Sequence, residues 1–307
     1  MFGLNLPAVC DNLKAQLNRS VWILETKVAI ARPRLLCAAE SVARAMPDYC
    51  IRVLIAGYDE KNSSSDELTR KLRAKFENVR FQKLVPEDIL RNTPVANYTY
   101  RYGPLFEWDN YAVHLSDFLR MALLYKYGGI YMDTDILARG RIDPAPFYVS
   151  RADGGAITNS VIGSSRPGHP LLWVAMNISQ EQYMFRQYDT VFGVFGGLIE
   201  KTCLKERKRL ALDTHTVRRH VLNCSSFKVY GFETGSLCCK KYSPLNGENQ
   251  TESETLMQQW RGENCTMFHY MQSYLGVKQA LTPHKNSLLK KVMKDTCPMS
   301  LESSELF

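Results

Sequence analysis

The stretch that decides the fold runs Ser116-Asp117-Phe118-Leu119-Arg120-Met121-Ala122-Leu123-Leu124-Tyr125-Lys126-Tyr127-Gly128-Gly129-Ile130-Tyr131-Met132-Asp133-Thr134-Asp135. Ser116 has the side chain of a helix N-cap, and Asp117 in a first turn would suit the helix dipole. Gly128 reads as the left-handed residue that closes the helix. Asp117 and Arg120, three apart, then share one helix face. Ile130-Tyr131-Met132 reads as a short strand delivering Asp133 and Asp135, whose side chains, two apart on a strand, would face one point. Such a pair offers hard oxygen ligands to Mn2+ or Mg2+, which proteins commonly hold with one or two carboxylates plus substrate phosphates. Asp117 can accept hydrogen bonds from hydroxyls, and Arg120 can present a planar fork to phosphate or sugar oxygens. Paired aspartates in turns are common, but a D-x-x-R helix running into a strand that ends in D-x-D is a far more specific pattern.

Upstream, strand and helix signals alternate. Val21-Trp22-Ile23-Leu24 reads as a buried strand and Arg34–Ala45 as a helix opened by Pro33. Ile51–Ala56 is a second strand, Glu67–Phe76 an amphipathic helix after the polar turn 62–66, and Val79–Leu84 a third strand. This alternation predicts an α/β fold with a largely parallel sheet covered by helices on both faces. Trp22 fits a core position better than a base-stacking one. Past residue 200 the pattern weakens, and residues 201–241 carry ten Lys or Arg against three acids. A solvated face is the ordinary meaning of such a run, and a face held near anionic lipid head groups is the alternative.

The chain has 307 residues with 39 Lys and Arg against 31 Asp and Glu, a formal charge of +8. Hydrophobic residues make up 45% and charged residues 23%, which excludes a disordered, collagenous or low-complexity chain. No run approaches the ~20 apolar residues of a membrane span, and the first residues lack the pattern of a signal peptide. No basic patch with a nucleic-acid motif is present, and no nucleic-acid partner is expected. Nine cysteines, none in a CxxC pair, argue against structural zinc, and their connectivity is not legible. Seven N-x-[ST] sites, at Asn18, Asn62, Asn97, Asn177, Asn223, Asn249 and Asn264, exceed the roughly two expected by chance and predict passage through the secretory pathway.

The D-x-x-R…D-x-D segment resembles the donor-binding region of DXD-containing GT-A glycosyltransferases, in particular the eukaryotic alpha-1,4-galactosyl/N-acetylglucosaminyltransferase family. Glucosyltransferase domains of large clostridial toxins share the spacing. The likeness runs from about Val21 to Pro298 and includes residues 36–44 (LCAAESVAR), Val79-Arg80-Phe81 and Asn92-Thr93-Pro94. It implies a single GT-A catalytic domain, Rossmann-like, with a stem or leader remnant at 1–19, a sugar-nucleotide-binding region at 20–165 and an acceptor-side region at 166–300. It further implies retaining, metal-dependent transfer of galactose or an N-acetylhexosamine from a UDP-sugar to a terminal sugar of a glycolipid or glycoprotein glycan, in alpha-1,4 linkage. Mn2+ (or Mg2+) would sit at Asp133 and Asp135, with His269 a candidate third ligand. Asp117 and Arg120 would be the catalytic and sugar-contacting residues, and Asn159 would face the donor sugar. The expected place is the lumenal side of the Golgi membrane, with a type II anchor outside this sequence.

Two segments depart from the family pattern. Phe192-Gly193-Val194-Phe195-Gly196-Gly197 stands where W-G-x-x-G-P is usual, and Tyr-Met-Gln follows His269 where H-x-W is usual. A non-catalytic sugar-nucleotide-binding or lectin-like relative is therefore the second reading. A haloacid-dehalogenase-type hydrolase is disfavoured by Leu137 two residues past the second aspartate, and by the motif's distance from the first strand.

Overall fold

A computed structural model of the chain describes residues 10, 17–26, 32–59, 67–97, 111–142, 146–151, 157–184, 195–199, 227–230, 237–238, 250–262, 266–270 and 286–303. Hydrophobic alternation builds its centre. In β1 (Ser20–Glu25), Val21 and Ile23 point to one side and Trp22 and Leu24 to the other, all buried. The same holds in β2 (Cys50–Ala56), where Ile51, Val53 and Ile55 oppose Arg52 and Leu54. A strand buried on both faces needs two helical layers, and both are present. The Val21/Ile23 face packs under α1 (Pro33–Ala45) and α2 (Glu67–Lys75). The Trp22/Leu24 face packs under α3 (Pro86–Leu90), α4 (Tyr111–Tyr127) and, farther along the sheet, α5 (Pro170–Met184).

With β3 (Val79–Leu84), β4 (Gly129–Met132), β6 (Phe147–Arg151), β7 (Ile157–Ser164) and β8 (Phe227–Tyr230), the main sheet has the order β3-β2-β1-β4-β7-β6-β8. β7 runs antiparallel to both its neighbours, and the other pairings are parallel. This mostly parallel sheet between two helical layers bears out the α/β, GT-A-type expectation. A second sheet joins β5 (Ile136–Ala138), β10 (Met267–His269) and β9 (Leu237–Cys238) in the order β5-β10-β9. It shares a third core with α6 (Gln250–Gly262) and α7 (Leu288–Thr296), built on Leu137, Trp260, Phe268, Tyr270 and Val292. The closing helix α8 (Pro298–Ser303) returns to α1, where the buried Glu40 carboxylate accepts from the backbone N–H of Met299 (3.2 Å) and Ser300 (2.8 Å).

Among the described residues, two disulfides tie the body together. Cys10 joins Cys50 at the start of β2, and Cys37 in α1 joins Cys297 just before α8. The buried Cys10 thus anchors part of the stretch read as stem.

Two local expectations are corrected. Ser116 does not cap the helix, which begins at least five residues earlier at Tyr111. The buried stripe of Leu115, Phe118, Leu119 and Ala122 is equally compatible with an earlier start, and Ser116 and Asp117 lie mid-helix. Nor do the two aspartates ride on a strand: β4 ends at Met132, and Asp133-Thr134-Asp135 form a turn into β5, closed by Ile136 N–H donating to the Asp133 carbonyl at 3.2 Å. Gly128 does end α4, with φ +70° and its N–H donating to the Leu124 carbonyl at 2.9 Å.

Candidate active site at the end of the fourth strand

Chain direction places the site. β1 leads to β2 on one side, while its other neighbour β4 belongs to the opposite half, so the strand order reverses between them. In open α/β sheets the crevice beyond the carboxyl ends at such a point is where ligands bind. Asp133 follows the last residue of β4 at that edge, and its backbone N–H donates to the Ser160 carbonyl of β7 at 2.9 Å.

Arg120 organises what lies there. From α4 its guanidinium reaches Asp117 Oδ1 at 3.2 Å and Asp133 Oδ1 at 3.1 Å, joining the D-x-x-R helix to the D-x-D turn. It also donates to the Asn159 carbonyl at 2.9 Å and to Ser116 Oγ at 3.1 Å. Its face lies 4.4 Å from the centroid of the Tyr131 ring. Asn159, in β7, donates from Nδ2 to Asp117 Oδ1 at 2.8 Å. Asp117, Arg120 and Asn159 are all buried, so this cluster is fixed in place before any ligand arrives. Burial lifts the Asp117 carboxyl to about 6, against the pull of Arg120 and Asn159. Burial also raises Asp133, opposed by Arg120 and reinforced by repulsion from Asp135. For Arg120 burial works against the charge, yet Asp133, Tyr131 and Asp117 outweigh it and push its pKa above the ordinary value.

The two motif aspartates are more open, with 27% of the Asp133 and 17% of the Asp135 side chain exposed. His269 reaches Asp135 Oδ1 through Nε2 at 3.4 Å. Register explains that contact: β10 pairs antiparallel with β5, placing His269 opposite Ile136, and Tyr270 N–H donates to the Asp135 carbonyl. Among the described residues no three His, Cys, Asp or Glu side chains gather closely enough to cage an ion. Asp133, Asp135 and His269 are therefore neighbours but not an assembled three-ligand site. Two partly exposed carboxylates, one of them with an oxygen that has no partner among the described residues, do fit an ion that takes its remaining ligands from phosphate and water.

Tyr131 belongs to this site and was not singled out from the sequence. Its hydroxyl donates to Asp133 Oδ1 at 2.5 Å. The signal was there, because a residue two before Asp133 in extended chain lies on its side. Trp22 is core, with Nε1 donating to the Gly128 carbonyl at 2.9 Å. Phe195 of the departing segment is fully buried against the α5 side of the sheet, and residues 192–194 lie outside the described residues. Among the seven sequons, Asn18 and Asn97 are exposed, while Asn177 is half-buried within α5. Asn62, Asn223, Asn249 and Asn264 lie outside the described residues.

Residues 33–149 match the family described as glycosyltransferase sugar-binding region containing DXD motif, which bears out the resemblance drawn from the D-x-x-R…D-x-D segment. Among curated relatives, the human alpha-1,4-N-acetylglucosaminyltransferase is 29% identical over 169 residues, covering 54% of this chain and 49% of that protein. The human lactosylceramide 4-alpha-galactosyltransferase is 37% identical over 123 residues, covering 38% of this chain and 34% of that one. The matches thus span half or less of the relatives' own length. Among solved structures, the PaToxG glycosyltransferase aligns with a TM-score of 0.48 at 16% identity, over 66% of this chain and 73% of that one.

Proposed function

We propose that the protein is a metal-dependent, retaining glycosyltransferase that moves galactose or an N-acetylhexosamine from a UDP-sugar to a terminal sugar of a glycolipid or glycoprotein glycan, in alpha-1,4 linkage. The observation that carries this is the Arg120 bridge, which holds Asp117 and Asp133 side by side at the switch point of the sheet. A divalent ion, Mn2+ or Mg2+, bound at Asp133 and Asp135 would supply a Lewis acid to the departing diphosphate. Asp117, its Oδ1 taken by Asn159 and Arg120, keeps Oδ2 to accept a hydroxyl of the donor sugar. Arg120 stays charged and fixes both carboxylates, so they need no reorganisation as charge develops. Among the described residues no side chain stands out as a nucleophile, and attack from the face the diphosphate leaves is the route this donor set supports.

The test is transfer from a panel of UDP-sugars to galactose-terminated acceptors with Mn2+. Asp133→Asn and Asp135→Asn should each lower turnover by several orders of magnitude while the far-UV spectrum stays unchanged. Transfer surviving in the double variant with excess EDTA would overturn the metal-centred mechanism. UDP-sugar binding without any transfer would favour the lectin-like reading.

We place the reaction in the secretory lumen, at the Golgi membrane. Two disulfides and the exposed Asn18 and Asn97 sequons support this. No helix among the described residues is long and apolar enough to cross a membrane. Protein from animal cells whose gel mobility is unchanged by an N-glycan-removing enzyme would refute the lumenal assignment.

A further inference from the structure

The two oxygens of the Asp133 carboxylate are not equivalent. Both protein contacts fall on Oδ1: the Tyr131 hydroxyl donates to it at 2.5 Å, and an Arg120 Nη1 donor lies 3.1 Å away. Oδ2 has no protein partner among the described residues, on a side chain that is 27% exposed. Tyr131 itself has no freedom to wander. Its ring is buried in the core between the sheet and α4, and its face carries the Arg120 guanidinium. Arg120 is pinned in turn by Asp117 and by the Asn159 carbonyl. A carboxylate held through one oxygen by a hydroxyl donor and an ion pair is restrained in rotation about its Cβ–Cγ bond.

From this geometry we infer that Tyr131 is a positioning residue, which with Arg120 occupies Asp133 Oδ1 and leaves Oδ2 as the single oxygen offered to the cation. The inference rests on the metal-dependent reading above. It deepens that reading by fixing the denticity of one ligand and naming the residue that sets it. An Asp133 freed from the hydroxyl could swing, chelate through both oxygens or turn fully toward Arg120, and each alternative spends binding energy on reorientation. Hydrogen-bonding partners of metal ligands typically contribute about 10–100-fold to metal affinity. Tyr131→Phe keeps the ring and its packing, and removes the hydroxyl with its donation to Asp133 and its side-chain hydrogen bond with Ser116.

The experiment is a Mn2+ titration of the full chain in the presence of UDP, read by the loss of the free-Mn2+ electron paramagnetic resonance signal. Thermal unfolding of the metal-free protein is measured alongside. Tyr131→Phe should raise the Mn2+ Kd about tenfold, with the metal-free melting temperature changed little. In the Asp133→Asn background the same substitution should have no further effect on Kd, because the hydroxyl acts only through that carboxylate. A Kd within twofold of wild type, or an equal loss in both backgrounds, would overturn the inference while leaving metal dependence standing. A wild-type chain that binds no Mn2+ with UDP would instead remove the metal reading, and this inference with it.

Discussion

Arg120 shows how one side chain can be structural and functional at once. It is buried among two carboxylates, a tyrosine face and a backbone carbonyl. Taking the guanidinium away would strand Asp117 and Asp133 without a counter-charge in a place where burial already opposes ionisation. Arg120→Met should therefore cost about 3–5 kcal/mol in urea unfolding at neutral pH, more than a surface ion pair could ever account for. A loss below about 1 kcal/mol would show that the bridge contributes little. At this scale the sequence pointed to Asp117, Arg120, Asn159 and Asp133, which the structure joins through Arg120 and Asn159, and to the separate neighbouring pair Asp135 and His269. Tyr131 was passed over because an apolar-looking strand triplet gave no reason to separate its hydroxyl from its ring.

Elements were legible where burial dictates periodicity and misread where a polar motif imitates a terminus. β3 matches its expected bounds, and β1, β2, α1 and α2 deviate by one or two residues. Ser116-Asp117 looked like a helix start, but Ser116 instead accepts from Arg120 within the helix. The second sheet was invisible, since Phe268 pairs with Leu137 and no local pattern reports a partner that far along the chain. The docking of α8 was equally hidden. Glu40 receives two backbone N–H groups from α8, the Ser300 hydroxyl at 2.8 Å and the Arg44 guanidinium. Glu40→Gln retains the volume but turns an amide toward donors, and should destabilise the protein by about 2–3 kcal/mol in chemical denaturation. Limited proteolysis should then cut first near residues 297–303. An unchanged midpoint and cleavage pattern would mean that α8 is held by its apolar contacts and the Cys37–Cys297 bond without help from Glu40.

For the molecule as a whole, the Cys37–Cys297 bond spans a sequence separation of 260 residues and the Cys10–Cys50 bond one of 40. Closing loops of these sizes restricts the unfolded chain, and for the longer one the chain-entropy contribution is about 5 kcal/mol. Replacing Cys37 and Cys297 by Ala should lower the unfolding free energy by an amount of that order, with a matching fall in the midpoint, and dithiothreitol should do the same to the wild type. A reductant-insensitive midpoint would mean that the bond adds nothing to the third core, in which both sulfurs are buried. Pairing was beyond sequence reading because the folded chain, not spacing, brings α1 against the residues preceding α8.

That long bond also sets an order of events at the ribosome. At about 5–20 residues per second, Cys37 waits roughly ten to fifty seconds for its partner to be made. Cys10 and Cys50 emerge within the same early stretch of nascent chain, and either can capture the waiting thiol. Wherever that capture happens, native pairing depends on late correction by thiol exchange rather than on first encounter. A host that oxidises quickly but reshuffles poorly would accumulate chains with the amino-terminal half cross-linked wrongly and the carboxyl-terminal helices left undocked.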